Sequence, residues 1–372
     1  MSNYDLVPIA DVLMAMSGGV DSTVAAFLLL EEGYKTAGAT MKLFDDQLIG
    51  EDIESGCCSL DDVMDVRNAC AKLGIEHFVF NMKKHFRHDV VDRFCDAYIS
   101  GLTPNPCIDC NRYLKFEALQ QRRRELGATY VATGHYARRH FDEATGKWQL
   151  LRATDKTKDQ SYVLYHLTQD DLSHMLFPIG HLTKNQVREI AHEQRFNNAD
   201  KSESQDICFI PNGNYKDFIE RYKELNGRDS LFQQGDIVDI EGKKLGCHNG
   251  LINYTIGQRR GIGIASKEPL YVLEKNLANN QLVVAPQSAL FESEAYLSDV
   301  NIISGNYTER AFVGEVKAGY RQAPVAARIE IAKDRTAHVH YDAPHIRTAP
   351  GQSIVFYVGD CVVGGGVCCN KN

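Results

Sequence analysis

The sequence predicts an α/β domain followed by a region built from short strands. Three observations predict it. Strand-like apolar runs alternate with helical periodicity from Val12 to Thr133, helical periodicity fades from Gly235 onward, and Gly and Pro then punctuate short apolar runs. The chain has 372 residues, room for two or three domains. Hydrophobic residues make up 44% and charged residues 24%, a balance that excludes a disordered tail, a collagen and a coiled coil. The net charge of −8 excludes a uniformly basic nucleic-acid coat, so an RNA partner would have to meet a local patch.

The elements follow in order. Val12 to Met16 reads as a strand, then a Gly-rich turn, then a helix from Ser22 to Glu32 stopped by Gly33. Thr36 to Met41 is a second strand. Ser59 is the expected cap of a helix ending near Leu73 and Gly74, with Asp61 and Asp62 in its first turn. Glu76 to Phe80 is a third strand, Phe86 to Ser100 a helix, Asn111 to Leu126 a helix, and Tyr130 to Thr133 a strand. Thr183 with Gln186 forms a capping-box signature for a helix to about Glu193. Asn214 to Tyr222 is a short helix. Gly235 to Gly246 reads as a hairpin turning at Glu241-Gly242, and Leu270 to Ala285 as another turning at Asn279-Asn280. Val313 to Val363 supplies further short strands. The expected boundaries are 1–215, 216–280 and 281–372, the last a small β-barrel or sandwich.

No apolar run approaches the ~20 residues of a membrane span; the longest is Val24 to Leu30. Met1 to Asp11 lacks a basic n-region and an Arg-rich pattern, so an uncleaved, cytoplasmic protein without a membrane partner is expected. The eleven cysteines then read as thiols, ligands or catalysts rather than a disulfide framework.

Ser17-Gly18-Gly19-Val20-Asp21-Ser22 lies between a predicted strand and a predicted helix. Its glycines let backbone N–H groups approach a phosphate, and the helix N-terminus adds partial positive charge. Ser17 and Ser22 offer hydroxyls, and Asp21 a carboxylate for Mg2+. The Lys of a Walker A loop is absent, which excludes ordinary γ-phosphate transfer. The plainer reading is a Gly-rich turn that caps a helix. A second signal is Thr103-Pro104-Asn105-Pro106-Cys107-Ile108-Asp109-Cys110-Asn111, which opens a predicted helix. It places Cys110 near the helix N-terminus, where the dipole favours thiolate. Cys107 and Cys110 read as metal ligands, a redox pair or a nucleophile. Cys208 lies in Ser202-Glu203-Ser204-Gln205-Asp206-Ile207-Cys208-Phe209-Ile210. The other eight, Cys57, Cys58, Cys70, Cys95, Cys247, Cys361, Cys368 and Cys369, read as buried small apolar residues.

S-G-G-V-D-S resembles the pyrophosphate loop of the N-type ATP pyrophosphatases, which cleave ATP between the α and β phosphates and adenylate an oxygen. The remaining motifs resemble the tRNA-uridine 2-sulfurtransferase family over nearly the whole chain. They are both cysteine segments, Ala132 to Ala137, Lys158 to Tyr162, Gly257 to Gly261, Pro350 to Ser353 and Gly364 to Gly366.

The resemblance implies a Rossmann-like parallel-sheet ATP pyrophosphatase domain, a small central domain and a C-terminal β-barrel. It implies an ATP site lined by Ala15, Met16, Ser17, Gly18, Gly19, Val20, Asp21, Ser22, Met41 and Gly134. Asn105, Pro106 and Cys107 would approach the target base. His135, Lys158, Asp159, Gln160, Gly319, Tyr320 and Gln352 would face tRNA. Cys208 would carry a persulfide, and Cys110 would be the partner nucleophile, joined to Cys208 in a transient disulfide. The implied reaction is ATP-dependent 2-thiolation of uridine 34 in tRNAs for Lys, Glu and Gln. A persulfide relay protein or a cysteine desulfurase would supply the sulfur. ATP and Mg2+ are the implied cofactors.

Two positions depart from the family pattern. Cys107 stands where many members have an acid/base Asp; either Asp109 takes over proton transfer, or the role is not needed, or the loop does something else. Gly319 stands where an Arg often precedes Tyr320. Cys107, Cys110 and Cys208 could alternatively ligate an iron–sulfur cluster with one open iron. A rival adenylating ligase or amidotransferase of the same superfamily would not need Cys110 or Cys208, and a non-catalytic RNA-binding or metal-storage protein would not consume ATP. Arg122-Arg123-Arg124, Arg138-Arg139-His140, Lys243-Lys244 and Arg259-Arg260 are either solvated faces or RNA contacts, with Arg138-Arg139 and Arg259-Arg260 the stronger candidates.

Overall fold

The computed structural model describes residues 9–44, 60–202, 207–210, 214–226, 233–303 and 311–370. Cys57, Cys58, the Ser59 cap and residues 203–206 beside Cys208 lie outside them. The chain divides into two compact units, one from 1–90, 106–213 and 360–362, the other from 91–105, 214–359 and 363–372.

The first unit holds a five-stranded parallel sheet in the order β3-β2-β1-β4-β7. Its strands are β1 (Val12–Ala15), β2 (Thr36–Lys42), β3 (His77–Asn81), β4 (Tyr130–Thr133) and the short β7 (Met175–Leu176). Val12, Leu13 and Met14 are all buried, as are Ala37 and Ala39, because helices cover both faces of a parallel sheet. Helix α1 (Val20–Glu31) follows β1 and packs Val24, Ala25 and Leu29 into this core. Gly33 ends it at φ +87°, a left-handed position that suits glycine. Helix α2 is Leu60–Leu73. The helix Lys184–Glu193 begins with the expected capping box: Thr183 accepts from the Gln186 N–H, and the Gln186 side chain accepts from the Thr183 N–H.

The sequence places no element between Thr133 and Thr183, yet Ala137–Asp142 (β5) and Lys147–Arg152 (β6) pair as a hairpin. Asp142 closes its turn by accepting from Ala144 N–H and the Thr145 hydroxyl. Arg138 and Arg139 had disguised β5 as a basic patch.

The second unit contains two β structures. A four-stranded sheet runs β10-β11-β8-β9, from Gly235–Val238 (β8), Lys244–His248 (β9), Leu270–Asn276 (β10) and Gln281–Pro286 (β11). Both expected hairpin turns are present, with Gly242 and Asn280 at positive φ. The remaining strands are Phe291–Ile302 (β12), Ala311–Lys317 (β13), Val325–Ile331 (β14), Ala337–Ile346 (β15), Ser353–Val358 (β16) and Cys361–Cys369 (β17). They close as a barrel in the order β12-β15-β14-β13-β16-β17, with β17 returning to β12. Closure removes sheet edges, and alternate residues such as Leu297, Val339, Ile329 and Phe356 fill the interior.

Candidate functional site

In the first unit the strand order reverses beside β1, whose neighbours are β2 and β4. Ligands of open α/β sheets bind outside the carboxyl ends of strands at such a switch point. The Ser17–Ser22 loop leaves β1 there, and Gly134-His135 leaves β4 there. A Cβ on Gly134 would lie 2.8 Å from Ser22 N, so the start of α1 sits directly on the end of β4.

Gly19 precedes α1 at φ −83°, ψ 160° and supplies no side-chain cap. The first N–H groups of α1 lack partners within the helix, which makes a row of amide donors for an anion. Gly18 turns the chain at φ +79°. Its carbonyl accepts from Asn198 Nδ2 at 3.1 Å, and Asn198 also donates to Thr23 Oγ1 at 2.9 Å. The expectation that Ser22 offers its hydroxyl to phosphate is not met in this conformation. Ser22 is buried and its Oγ donates to Gly19 O at 3.0 Å, so the hydroxyl shapes the loop from inside.

Asp21 is held from two sides. Lys184 Nζ lies 2.7 and 2.9 Å from its two oxygens, and Tyr136 Oη donates to it at 2.8 Å. A Mg2+ ion at Asp21 would compete with this ammonium, so the carboxylate as arranged does not fit a metal. Lys201 likewise bridges Asp62 and Asp65 at 2.7 and 2.6 Å. Lys158, Lys184 and Arg188 line a cavity of about 730 Å³ that also includes Thr183, Asp155 and Ser202. With the Lys184 charge taken by Asp21, Lys158 and Arg188 stand against the one carboxylate of Asp155, and this positive balance suits a phosphate-bearing ligand.

His135 is buried. Its Nδ1 meets Thr133 Oγ1 at 2.8 Å, and Lys115 Nζ stands 3.5 Å from Nε2. Burial, reinforced by the Lys115 charge, pushes its pKa well below the usual histidine range and keeps the ring neutral. Asp159 is also buried, its carboxylate accepting from Ala153 N, Ser161 N and Ser161 Oγ. Gln160 Oε1 accepts from Tyr136 N at 2.9 Å. Asp159 and Gln160 thus shape the segment that presents Lys158. Met16 is buried against the Cys70 thiol, 3.5 Å between sulfurs, while Ala15 and Met41 are partly buried.

The cysteine helix starts earlier than expected. It runs from Pro106, not Asn111, through Pro106–Asp109, a π-helical stretch Cys110–Ala118 and Leu119–Glu125. Proline at the first helical position loses no intrahelical bond, which allows the earlier start. The first-turn thiol is therefore Cys107, which is exposed; Cys110 lies one turn inside, partly exposed, at the opening of the π segment. The dipole argument made for Cys110 moves to Cys107. Asn111 is buried and donates to Val163 O at 3.1 Å, which fixes the phase of this helix. Asp109 is partly exposed between the two cysteines. Cys208 is partly exposed too, and its neighbour Phe209 anchors it by packing edge-on against Phe86, 5.5 Å between centroids. Among the described residues, Cys107, Cys110 and Cys208 do not gather their sulfurs within the 4.8 Å spread of a single-ion site. Of the cysteines expected to be buried, Cys70, Cys95 and Cys368 are; Cys247 is exposed on β9, and Cys361 and Cys369 are partly exposed.

Three basic candidates prove structural. Buried Arg123 binds Gln120 Oε1 and the carbonyls of Ala128 and Thr129. Arg139 donates to the Leu172 and Ser173 carbonyls and lies over Trp148 at 4.4 Å. Arg138 is tied to Arg152 O and Asp360. Arg259 and Arg260 are exposed in the second unit.

Also in the second unit, Gln352 Nε2 donates to Thr103 O at 2.8 Å, and Thr103 N donates to Pro350 O. Gly351 at φ +93° permits this contact, since a Cβ there would come within 2.9 Å of Thr103 N. Gln352 thereby holds the segment that leads to Asn105. Tyr320 is exposed with Lys317 Nζ 5.4 Å from its ring centre, and Gly319 O closes a turn by accepting from Gln322 N.

Sequence reasoning missed Lys184, Asn198 and Lys201. Lys184 directly follows the Thr183 cap and Tyr136 lies inside a quoted motif, but neither position signals Asp21 as its partner.

A parallel sheet with an open amide row at its switch point defines an anion-binding α/β domain of the nucleotide-using class. Three family models match the chain in order: a tRNA methyl transferase HUP domain over residues 10–212, a tRNA methyl transferase PRC-barrel domain over 216–286, and an aminomethyltransferase beta-barrel domain over 292–368. Proteins named tRNA-specific 2-thiouridylase MnmA are similar over nearly full length. The one from Carboxydothermus hydrogenoformans is 43% identical over 365 residues, 97% of this chain and 98% of the relative. That of Clostridioides difficile is 42% identical over 356 residues, 96% and 97% of the two chains. One from a Roseiflexus species is 44% identical over 378 residues, 96% and 98%. The chain belongs to the tRNA-specific 2-thiouridylase family.

Proposed function

We propose that this protein uses ATP to activate the C2 oxygen of a tRNA uridine and replaces that oxygen with sulfur. The observation that carries the reading is the open amide row of α1 in the same compact unit as two accessible thiols, Cys110 and Cys208. The family membership supports it.

ATP would place its phosphates on the N–H groups that follow Gly19, with Lys158 and Arg188 adding positive charge. The uridine oxygen attacks the α-phosphorus and pyrophosphate leaves, which turns a poor leaving group into AMP. The outer sulfur of a Cys208 persulfide attacks C2 and AMP departs. The Cys110 thiolate then attacks Cys208 Sγ, the inner S–S bond breaks, and the departing electron pair stays on the product sulfur. A Cys110–Cys208 disulfide remains, to be reduced by an external thiol. Asp109, next to Cys110 in the chain, would serve in proton transfer. Neutral His135 does not add to the cationic charge of the site.

We assign uridine 34 as the target, tRNAs for Lys, Glu and Gln as substrates, and a persulfide relay protein or cysteine desulfurase as donor. Asn105, Pro106 and Cys107 would face the base. Lys158, Tyr320 and the exposed Arg259 and Arg260 would contact RNA, with 216–280 and 281–372 serving as RNA-binding domains. A target base must leave its stack to react, so such platforms away from the chemistry are expected. No described helix is long and apolar enough to cross a membrane, in keeping with a cytoplasmic setting.

The test is nucleoside mass spectrometry on unmodified tRNA incubated with the protein, magnesium-ATP, a reducing thiol, and a cysteine desulfurase with cysteine as persulfide donor. 2-Thiouridine should form only with ATP. Neither 2-thiouridine nor AMP from folded protein and competent tRNA overturns the reading.

A further inference from the structure

The outer face of the barrel carries a side-chain cluster that the thiolation chemistry does not use. His338 and His340 are two residues apart on β15, and period-2 alternation puts both imidazoles on one face. Val339 between them is buried in the barrel core, which establishes that the histidines point outward. Glu294 on β12 is the direct cross-strand partner of His340. Its Oε2 lies 2.8 Å from His338 Nε2, and the two histidine rings are 3.8 Å apart between centroids. One ligand atom from each of Glu294, His338 and His340 falls within 4.8 Å of the others. On the other side of β15, Glu330 Oε2 lies 3.9 Å from His340 Nε2. Tyr296 stacks on His338 at 4.4 Å and 17°, which limits rotation of that ring.

We propose that Glu294, His338 and His340 bind one divalent transition-metal cation of the zinc class on the outside of the β-barrel. Two imidazole nitrogens and one carboxylate oxygen form a donor set that zinc accepts, with a fourth position left for water or Glu330. Imidazole ligation selects zinc, copper or nickel over magnesium and calcium, which prefer all-oxygen shells. Donor atoms around tetrahedral zinc stand roughly 3.3 Å apart, so these partly exposed side chains close on an ion by small rotations. On binding, the proton shared by His338 and Glu294 is displaced to solvent or to Nδ1, and the Nε2 lone pair turns to the cation. The ion clips β12 to β15, strands already paired by backbone hydrogen bonds.

The test titrates Zn2+ and Co2+ into the full-length reduced protein by calorimetry and absorption. Cysteine thiolates also take these ions, so four proteins are compared: wild type, His338→Ala/His340→Ala, Glu294→Gln, and Cys110→Ser/Cys208→Ser. The double histidine variant should lose one equivalent that the cysteine variant keeps. That equivalent should give a cobalt spectrum without thiolate charge transfer, and Glu294→Gln should weaken it at least tenfold. Matching melting curves in chelator establish that the variants fold; should the double variant fail, His340→Ala alone serves, with the same tenfold weakening expected. Equal stoichiometry and affinity in wild type and the histidine variants overturn the proposal.

Discussion

Lys184 Nζ grips both carboxylate oxygens of Asp21, at 2.7 and 2.9 Å, across 163 residues of sequence. The lysine begins the helix after the Thr183 cap, and the aspartate belongs to the first turn of α1. The pair ties these two helices together at the mouth of the loop. Lys184 is nearly buried, whereas Asp21 is about a quarter exposed. Lys184→Ala leaves the carboxylate without its cation at the place where phosphates are to bind. We expect AMP formation to fall at least tenfold, with a loss of stability on the order of 1–3 kcal/mol. Initial-rate kinetics against ATP and a thermal melt measure both. Unchanged kinetics would show that the pair is only structural.

Gly134→Ala tests the close approach of β4 to α1. The added Cβ would lie 2.8 Å from Ser22 N and 3.0 Å from Asp21 C, both backbone atoms that cannot rotate away. Overpacking of this kind costs about 1–3 kcal/mol. The expected outcome is a weaker nucleotide affinity together with a lower melting temperature. An alanine variant that binds ATP like wild type contradicts the packing described.

Separate cysteine variants divide the reaction. Cys208→Ser and Cys110→Ser should each abolish 2-thiouridine while the protein still releases pyrophosphate from ATP in the presence of tRNA. Cys70→Ser should retain both activities at temperatures where it folds, because Cys70 is buried against Met16, and burial raises its thiol pKa to about 11. If Cys110→Ser still thiolates, the persulfide-release step has been assigned to the wrong residue.

Lys275 on β10 gives a pH dependence. Among the described residues its Nζ has no hydrogen-bond partner, and desolvation by burial lowers its pKa to about 8. Below about pH 8 the folded protein holds a desolvated charge. Between about 8 and 10.5 the unfolded chain binds more protons than the folded one, so this residue makes stability rise with pH. Lys275→Met should remove that rise and stabilise the protein at neutral pH by roughly 1–3 kcal/mol. Denaturant melts of both proteins at pH 7 and pH 10 check this; a variant no more stable at pH 7 refutes it.

Much of the local structure was legible before the fold. The Thr183–Gln186 box, the Gly33 stop and the Asn279-Asn280 turn depend on neighbours within four residues, and each appears where the pattern puts it. The expected start of the cysteine helix at Asn111 came too late, because Pro106 serves as its first helical residue. The β5–β6 hairpin was missed because Arg138 and Arg139 look solvent-seeking. In the fold they find the carbonyls of Arg152, Leu172 and Ser173.

The sequence by itself determined the alternation of strands and helices from β1 to β4, the amide-bearing loop before α1 and the two candidate reactive cysteines. Such features follow from residue type and short-range spacing. Only the tertiary structure decided that Asp21 faces Lys184 and Tyr136, that Asn198 braces Gly18, and that Asp159 and Arg139 serve the scaffold. It also decided that Glu294 meets His338 and His340. These partners lie tens to hundreds of residues apart. Side chains reach each other there because buried strands and helices pack in one arrangement, and a buried or partly buried charge settles on whichever counter-charge or hydrogen bond that packing brings within reach.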